Sequence, residues 1–169
     1  MTLEPIRELY AYDHWATNAV LRSLDSLSHD EYMKDMRSSH GGVHGTLVHL
    51  LAGDRVWLDR WTSASQPVFP RSSDYPDLTG VARSWAGVQE RTATFIETLT
   101  DERLLESFTY ADSKGNSYSE ILWYSMVHKV THATYHRGQI VTLIRQLGKK
   151  PVSTDLVFWR RSLITEGQS

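Results

Sequence analysis

Cysteine is absent from this 169-residue chain. That one fact excludes disulfides, cysteine-ligated zinc, iron–sulfur clusters and a protein-derived thiol nucleophile. Proline is sparse, and three of its five occurrences, Pro67, Pro70 and Pro76, fall in one segment, which leaves the rest of the chain free for regular structure. No apolar run approaches the roughly 20 residues that a membrane-spanning helix needs. Charge of neither sign dominates: the formal net charge is −2 with a pI near 6.4, and the only tight basic pairs are Lys149–Lys150 and Arg160–Arg161. A nucleic-acid or anionic-membrane partner is therefore not expected. The first residues, MTLEPIRELYAYDHW, lack the basic-then-apolar run of a signal peptide. The expectation is a soluble, cytoplasmic protein, folded as one domain over residues 1–169.

What is present is helical periodicity. Apolar residues at Ile6, Leu9, Tyr10, Trp15, Val20, Leu21, Leu24 and Leu27 predict a first helix from Glu4 to Leu27, with Pro5 in its first turn. A polar interval, Ser28 to Gly42, follows. The second helix is expected from Val43 to Trp61, burying Leu47, Leu50, Leu51, Val56 or Trp57, Leu58 and Trp61. Residues 66–77 (QPVFPRSSDYPD) are too proline-rich for one regular element and long enough to cross over a bundle or cover a pocket. A third helix, Leu78 to Leu99, carries Val81, Trp85, Val88, Thr92, Phe95, Ile96 and Leu99. Aromatic residues alternating around Lys114–Gly115–Asn116 predict a hairpin within Ser107 to Ser119. Ser117 and Glu120 form an S-x-x-E capping pattern, which predicts the start of a fourth helix. That helix should run to Leu147 and stop at Gly148, with Pro151 beyond. The tail, Asp155 to Leu163, is apolar enough to dock as a short extra element. The fold class is all-α: a four-helix bundle with a long crossover and a short β-hairpin before the fourth helix. A faint repeat relates Leu27–Ser28–Asp30–Glu31 to Leu99–Thr100–Asp101–Glu102, and LVHLL (Leu47 to Leu51) to MVHKV (Met126 to Val130).

Histidine carries the chemistry. His128, His132 and His136 recur every four residues on the fourth helix, each about 40° around from the last and one turn along. All three together span about 80° and more than 10 Å of rise, so one ion can be shared only by an adjacent pair. A pair needs a third ligand from another helix. His49 is the best placed, on the apolar stripe with Leu50. His40 and His44, near the second helix start, are expected to face solvent or cap, and His14 and His29 to lie at the surface. Asp54 reads as an exposed helical aspartate and Arg137 as a structural ion-pair partner. Gln139 is placed to hydrogen-bond within the bundle and Gly138 to allow close helix approach. Trp15, Trp57, Trp85 and Tyr124 read as core.

The string His128 to Gln139, H-x3-H-x3-H-R-G-Q, resembles the fourth-helix motif of the DinB family. SSHGGVHGTLVHLLAGDRVWLDRW (Ser38 to Trp61) is similar to that family's second helix, YAYDHWATNAVL (Tyr10 to Leu21) to its first, and the hairpin region Phe108 to Leu122 fits as well. The resemblance implies an up–down–down–up four-helix bundle, usually a homodimer, that holds a divalent metal through three histidines. Carried over by position, the ligands are His49, His132 and His136, with His128 in a supporting role. Three neutral imidazoles leave the ion's charge uncompensated, which would acidify a bound water or thiol. The glutamate of an H-E-x-x-H peptidase is missing, because Ala133, Thr134 and Tyr135 separate the paired histidines. Relatives that use low-molecular-weight thiols make a thiol-dependent S-transferase acting on a small electrophile the leading expectation, with zinc or nickel as metal and the thiol supplied from outside. A non-catalytic, stress-related metal-binding protein and a metal-dependent hydrolase are the alternatives.

Overall fold

The apolar spacing that opens the chain winds it into α1, Leu3–Ser23, with Ile6, Tyr10, Ala16 and Val20 buried along one face. The computed structural model describes residues 1–63 and 69–166. α1 stops at Ser23, short of the expected Leu27, and a single 3-10 turn, Leu24–Ser26, carries the chain on until Leu27 turns extended. Two serines and an aspartate cluster there, residue types that compete with the helix backbone for its own hydrogen bonds. Ser23 Oγ indeed returns to the Val20 carbonyl at 2.7 Å. The polar interval holds a short helix, α2 (His29–Met33), closed at its start by a reciprocal Ser28–Glu31 capping box.

α3 spans Val43–Trp61, as the spacing predicts, and all of Leu47, Leu50, Leu51, Val56, Leu58 and Trp61 are buried. Of the crossover, residues 66–68 lie outside the described residues, and 69–77 contain one 3-10 turn, Ser72–Asp74. α4, Leu78–Glu97, starts where the Asp77 side chain accepts from Gly80 N–H. Its buried residues, Val81, Trp85, Val88, Thr92 and Ile96, return every three or four positions. Each large apolar side chain in such a stripe contributes roughly 1.5–3 kcal/mol, against roughly 1 kcal/mol of propensity lost at each of Gly80 and Gly87, so burial decides for helix. Thr100 then caps α5, Asp101–Leu104. The faint repeat thus has a structural counterpart: Ser28 and Thr100 each cap a short helix that follows a long one.

β1 (Ser107–Ala111) and β2 (Ser117–Ile121) pair antiparallel about a turn in which Gly115 takes φ 86°. Here the structure corrects the expected helix start. Ser117 pairs with Ala111 and Glu120 with Phe108, so the S-x-x-E pattern belongs to a strand. Cross-strand contacts, including Tyr110 stacked on Tyr118 at 5.8 Å, win those residues for the hairpin. α6 begins later and spans Leu122–Gln146, its N-cap Ile121 offering no side-chain bond. It ends as expected: Gly148 enters the left-handed region at φ 74°, and Lys149 N–H reaches back to the Ile144 carbonyl. α7, Leu156–Glu166, docks through Trp159, 6.0 Å from Tyr12 of α1.

α6 packs against α3 and α1, α3 against α4, and α1 touches α4, so the four long helices enclose one core. The chain is mostly helical with one two-stranded hairpin. No described helix is long and apolar enough to cross a membrane. Two further expectations are corrected here. Tyr124 projects outward at 55% exposure, and a Cβ at Gly138 would meet no neighbour within 4 Å, so that glycine permits no close approach.

A charged cluster crosses the core. Lys129 Nζ of α6 reaches Asp13 of α1 at 2.5 Å and Asp54 of α3 at 2.9 Å. Arg137 Nη1 meets the other Asp13 oxygen at 2.5 Å, and Trp85 Nε1 of α4 donates to Asp54 at 3.0 Å. All five residues are buried, which overturns the exposed reading of Asp54 and bears out the structural reading of Arg137. Burial pushes the Asp13 carboxyl up, yet Lys129 and Arg137 outweigh it and hold the group below its usual value. Asp54 lacks the arginine, and burial holds it above. Burial works against a charged Lys129, but the two carboxylates more than reverse this.

Candidate metal centre

Four imidazoles meet between α3, α6 and the loop before α3. His49 lies one and a half turns into α3, and His132 and His136 lie on successive turns of α6, so packing α3 on α6 brings the three face to face. Ring centroids are 5.1 Å apart for His49–His132, 4.5 Å for His49–His136 and 4.4 Å for His132–His136. His49 Nε2 and His132 Nε2 approach to 3.2 Å. Two nitrogens each 2.0–2.1 Å from one tetrahedral zinc are themselves about 3.3 Å apart, so this pair already has the spacing of two ligands.

The fourth ring is His40, which the sequence reading set aside as solvent-facing or capping. It is half-buried, lies stacked on His49 at 3.9 Å and 15°, and meets His136 edge-on at 5.2 Å. Among the described residues, the three-histidine group whose ligand nitrogens all lie within 4.8 Å of one another is His40, His49 and His136. His132 adjoins that group through His49. The remaining histidines stand apart. His44 is buried with Nε2 on the Tyr75 carbonyl at 2.8 Å, and exposed His128 packs edge-on to Trp57 at 5.4 Å.

Neighbouring residues prepare the rings. Gln139 Oε1 lies 2.7 Å from His136 Nδ1, an acceptor that draws the ring proton to Nδ1 and leaves Nε2 free to ligate. Gly53, one turn beyond His49, faces His132: a Cβ there would sit 3.3 Å from the ring. Burial, then the charge of neighbouring imidazoles, depresses His49 and His132 to about 4 and lowers His40 as well. Rings that stay neutral keep their lone pairs available, so the donor set fits a divalent metal ion. No carboxylate belongs to the group among the described residues, and Asp54 is committed to Lys129 and Trp85.

A cavity of about 260 Å³ opens beside the cluster, bordered by His49, His132, Trp57, Arg60 and Phe69. The Arg60 guanidinium stacks over Trp57 at 4.7 Å and Tyr110 at 4.4 Å, and Nη2 donates to the Ala111 carbonyl at 2.9 Å. Sequence reasoning missed His40, Gly53 and Arg60. The signal for the first was H-G-G-x-x-G from His40 to Gly45, a spacing that marks a turn folded tightly onto a helix start.

Comparison with known proteins agrees with this architecture. The chain is 21% identical over 155 residues to Protein DinB of Bacillus subtilis (strain 168), spanning 88% of this chain and 89% of that one. The crystal structure of a DinB-like protein from Bacillus cereus ATCC 10987 has a TM-score of 0.59 over 90% of this chain and 97% of the other, at 18% identity, a likeness of fold. A profile of the DinB family matches residues 1–167, and on that near-complete coverage this chain belongs to the DinB family.

Proposed function

We propose that this protein is a metal-dependent, thiol-using S-transferase that acts on a small electrophile, with His49, His132 and His136 holding a divalent zinc or nickel ion. The observation that carries the reading is the 3.2 Å approach of His49 Nε2 to His132 Nε2 beside His136, at the edge of a cavity of about 260 Å³. A divalent ion held only by neutral imidazoles keeps its full charge and, when bound, lowers the pKa of a thiol or water that reaches it. The chain's own residues do the rest. Gln139 fixes the His136 ring, Gly53 leaves room for His132, and Trp57 and Arg60 wall the cavity with an aromatic face and a cation. The thiol comes from outside, since the chain has no cysteine.

The proposed unit is one bundle over residues 1–169 with up–down–down–up helices, cytoplasmic and homodimeric. Exposed Leu156, Phe158 and Ile164 on α7 and Tyr124 and Tyr135 on α6 supply apolar surface for a second copy. Light scattering of purified protein should give twice the chain mass, and a monomer at micromolar concentration would remove the dimer.

Metal analysis of the native protein should find about one zinc or nickel per chain, lost in both His132→Ala and His136→Ala. Incubation with an electrophilic aryl halide and a panel of small bacterial thiols should then show thiol-dependent turnover that disappears in His49→Ala. Turnover without any thiol would instead assign a hydrolase. Silence across the panel with metal retained would assign a non-catalytic metal-binding protein, and metal retained in the alanine variants would sink the ligand set.

A further inference from the structure

Three rings of the cluster have identifiable roles, and His40 does not. His49 and His132 engage each other, and His136 engages Gln139, whereas the ring nitrogens of His40 hydrogen-bond to no described residue. Yet its backbone is held with unusual care. Met36 N–H donates to the Gly41 carbonyl at 2.7 Å, and Ser38 and Gly41 exchange a two-way bridge that closes the loop on itself. Gly41 adopts φ 83°, where other residues are strained. A Cβ on Gly42 would lie 2.2 Å from the Lys34 carbonyl oxygen, and one on Gly45 would lie 1.9 Å from the carbonyl oxygen of His40 itself. Three glycines therefore let residues 34–42 press against the first turn of α3, and what that compression delivers to the cluster is the His40 imidazole.

We propose that His40 is a fourth, loop-borne ligand of the divalent ion, so that the resting centre is closed by four imidazoles and an incoming small ligand competes with His40 for its place. The inference rests on the metal-binding reading above and goes beyond its three-ligand set. Nitrogens that share one ion at 2.0–2.1 Å lie at most about 4.2 Å apart. The His40, His49 and His136 nitrogens lie within 4.8 Å of one another, and His132 reaches them through His49. The set is completed by two small ring rotations, of His40 out of its stack and of His132 toward His40 and His136. His49 and His132 already stand at ligand spacing. A side chain arriving on a loop is also the one that can withdraw without unpacking a helix, which makes His40 the exchangeable position of the four.

The test uses the full chain loaded with Co2+ alone. X-ray absorption should count four imidazoles in the wild type and three plus a light solvent atom in His40→Phe, a substitution that keeps an aromatic ring stacked on His49 but removes both nitrogens. Co2+ affinity should fall by at least roughly tenfold in that variant, the lower end of what partners outside the ligand set contribute. Azide should perturb the visible absorption of His40→Phe at lower concentration than it does the wild type. Three imidazoles in both proteins, with equal affinity and equal azide response, would overturn the His40 assignment and leave the metal reading standing. Wild-type protein that takes up no Co2+ would overturn both, and far-ultraviolet circular dichroism of His40→Phe separates lost ligation from lost folding.

Discussion

His49 and His132 titrate near 4 in the folded chain because burial, reinforced by the other imidazoles, disfavours their charged forms. Unfolded, the same rings bind a proton near 6.5. Between those values the unfolded state holds more protons than the folded state, so stability rises with pH across the window and levels off above about 6.5. Metal-free protein should therefore gain melting temperature from pH 4.5 to 6.5, with a shallower gain in His132→Phe. Identical slopes for the two proteins would refute the contribution of that ring. The same residues measure what was legible beforehand. His132 and His136 announce themselves by i,i+4 spacing, and His49 by its place on an apolar stripe, because a helix fixes direction from sequence separation alone. His40 reaches the cluster through a turn whose path depends on φ 83° at Gly41, and no periodicity encodes that. Asp54 was misread for a related reason: its partner Lys129 lies on another helix, and nothing local distinguishes a buried aspartate from an exposed one.

Among the elements, α3 was read to its end residues because its apolar stripe and its glycine-rich start agree, whereas the beginning of α6 was misread because two signals conflicted. Ser117–Glu120 offers a cap, but Tyr118 and Glu120 also find cross-strand partners in β1, and the hairpin uses them. The buried ion cluster is where the elements depend on one another most. Lys129 of α6 neutralises carboxylates on both α1 and α3, and removing it strands Asp54 beside Asp13. Lys129→Met should cost about 3–5 kcal/mol in urea denaturation, the scale for breaking a buried pair from one side. The double variant Lys129→Met/Asp54→Leu should lose less than the single, because Asp13 keeps Arg137 and no carboxylate is left alone. A single-variant cost under about 1 kcal/mol would show that the cluster is solvated rather than buried.

At the scale of the whole molecule, the four long helices, the hairpin and the family were legible, since they follow from repeated local pattern and from motif, whereas the short helices α2 and α5 were not. The depth of the polar core was not, because it arises only when α1, α3, α4 and α6 close on one another. That core also constrains the order of events during synthesis. α1 and α3 emerge from the ribosome carrying Asp13 and Asp54, and the cations that neutralise them, Lys129 and Arg137, arrive only with α6. At about 5–20 residues per second the wait lasts several seconds. Over that interval Asp13 and Asp54 have no cation to be buried against, and α1 and α3 both lack α6, the helix each of them packs on. A nascent chain stalled before residue 122 should thus remain open to protease, and release of α6 should close it in one step. Closure of this core thus waits on α6, the last of the four long helices to be made.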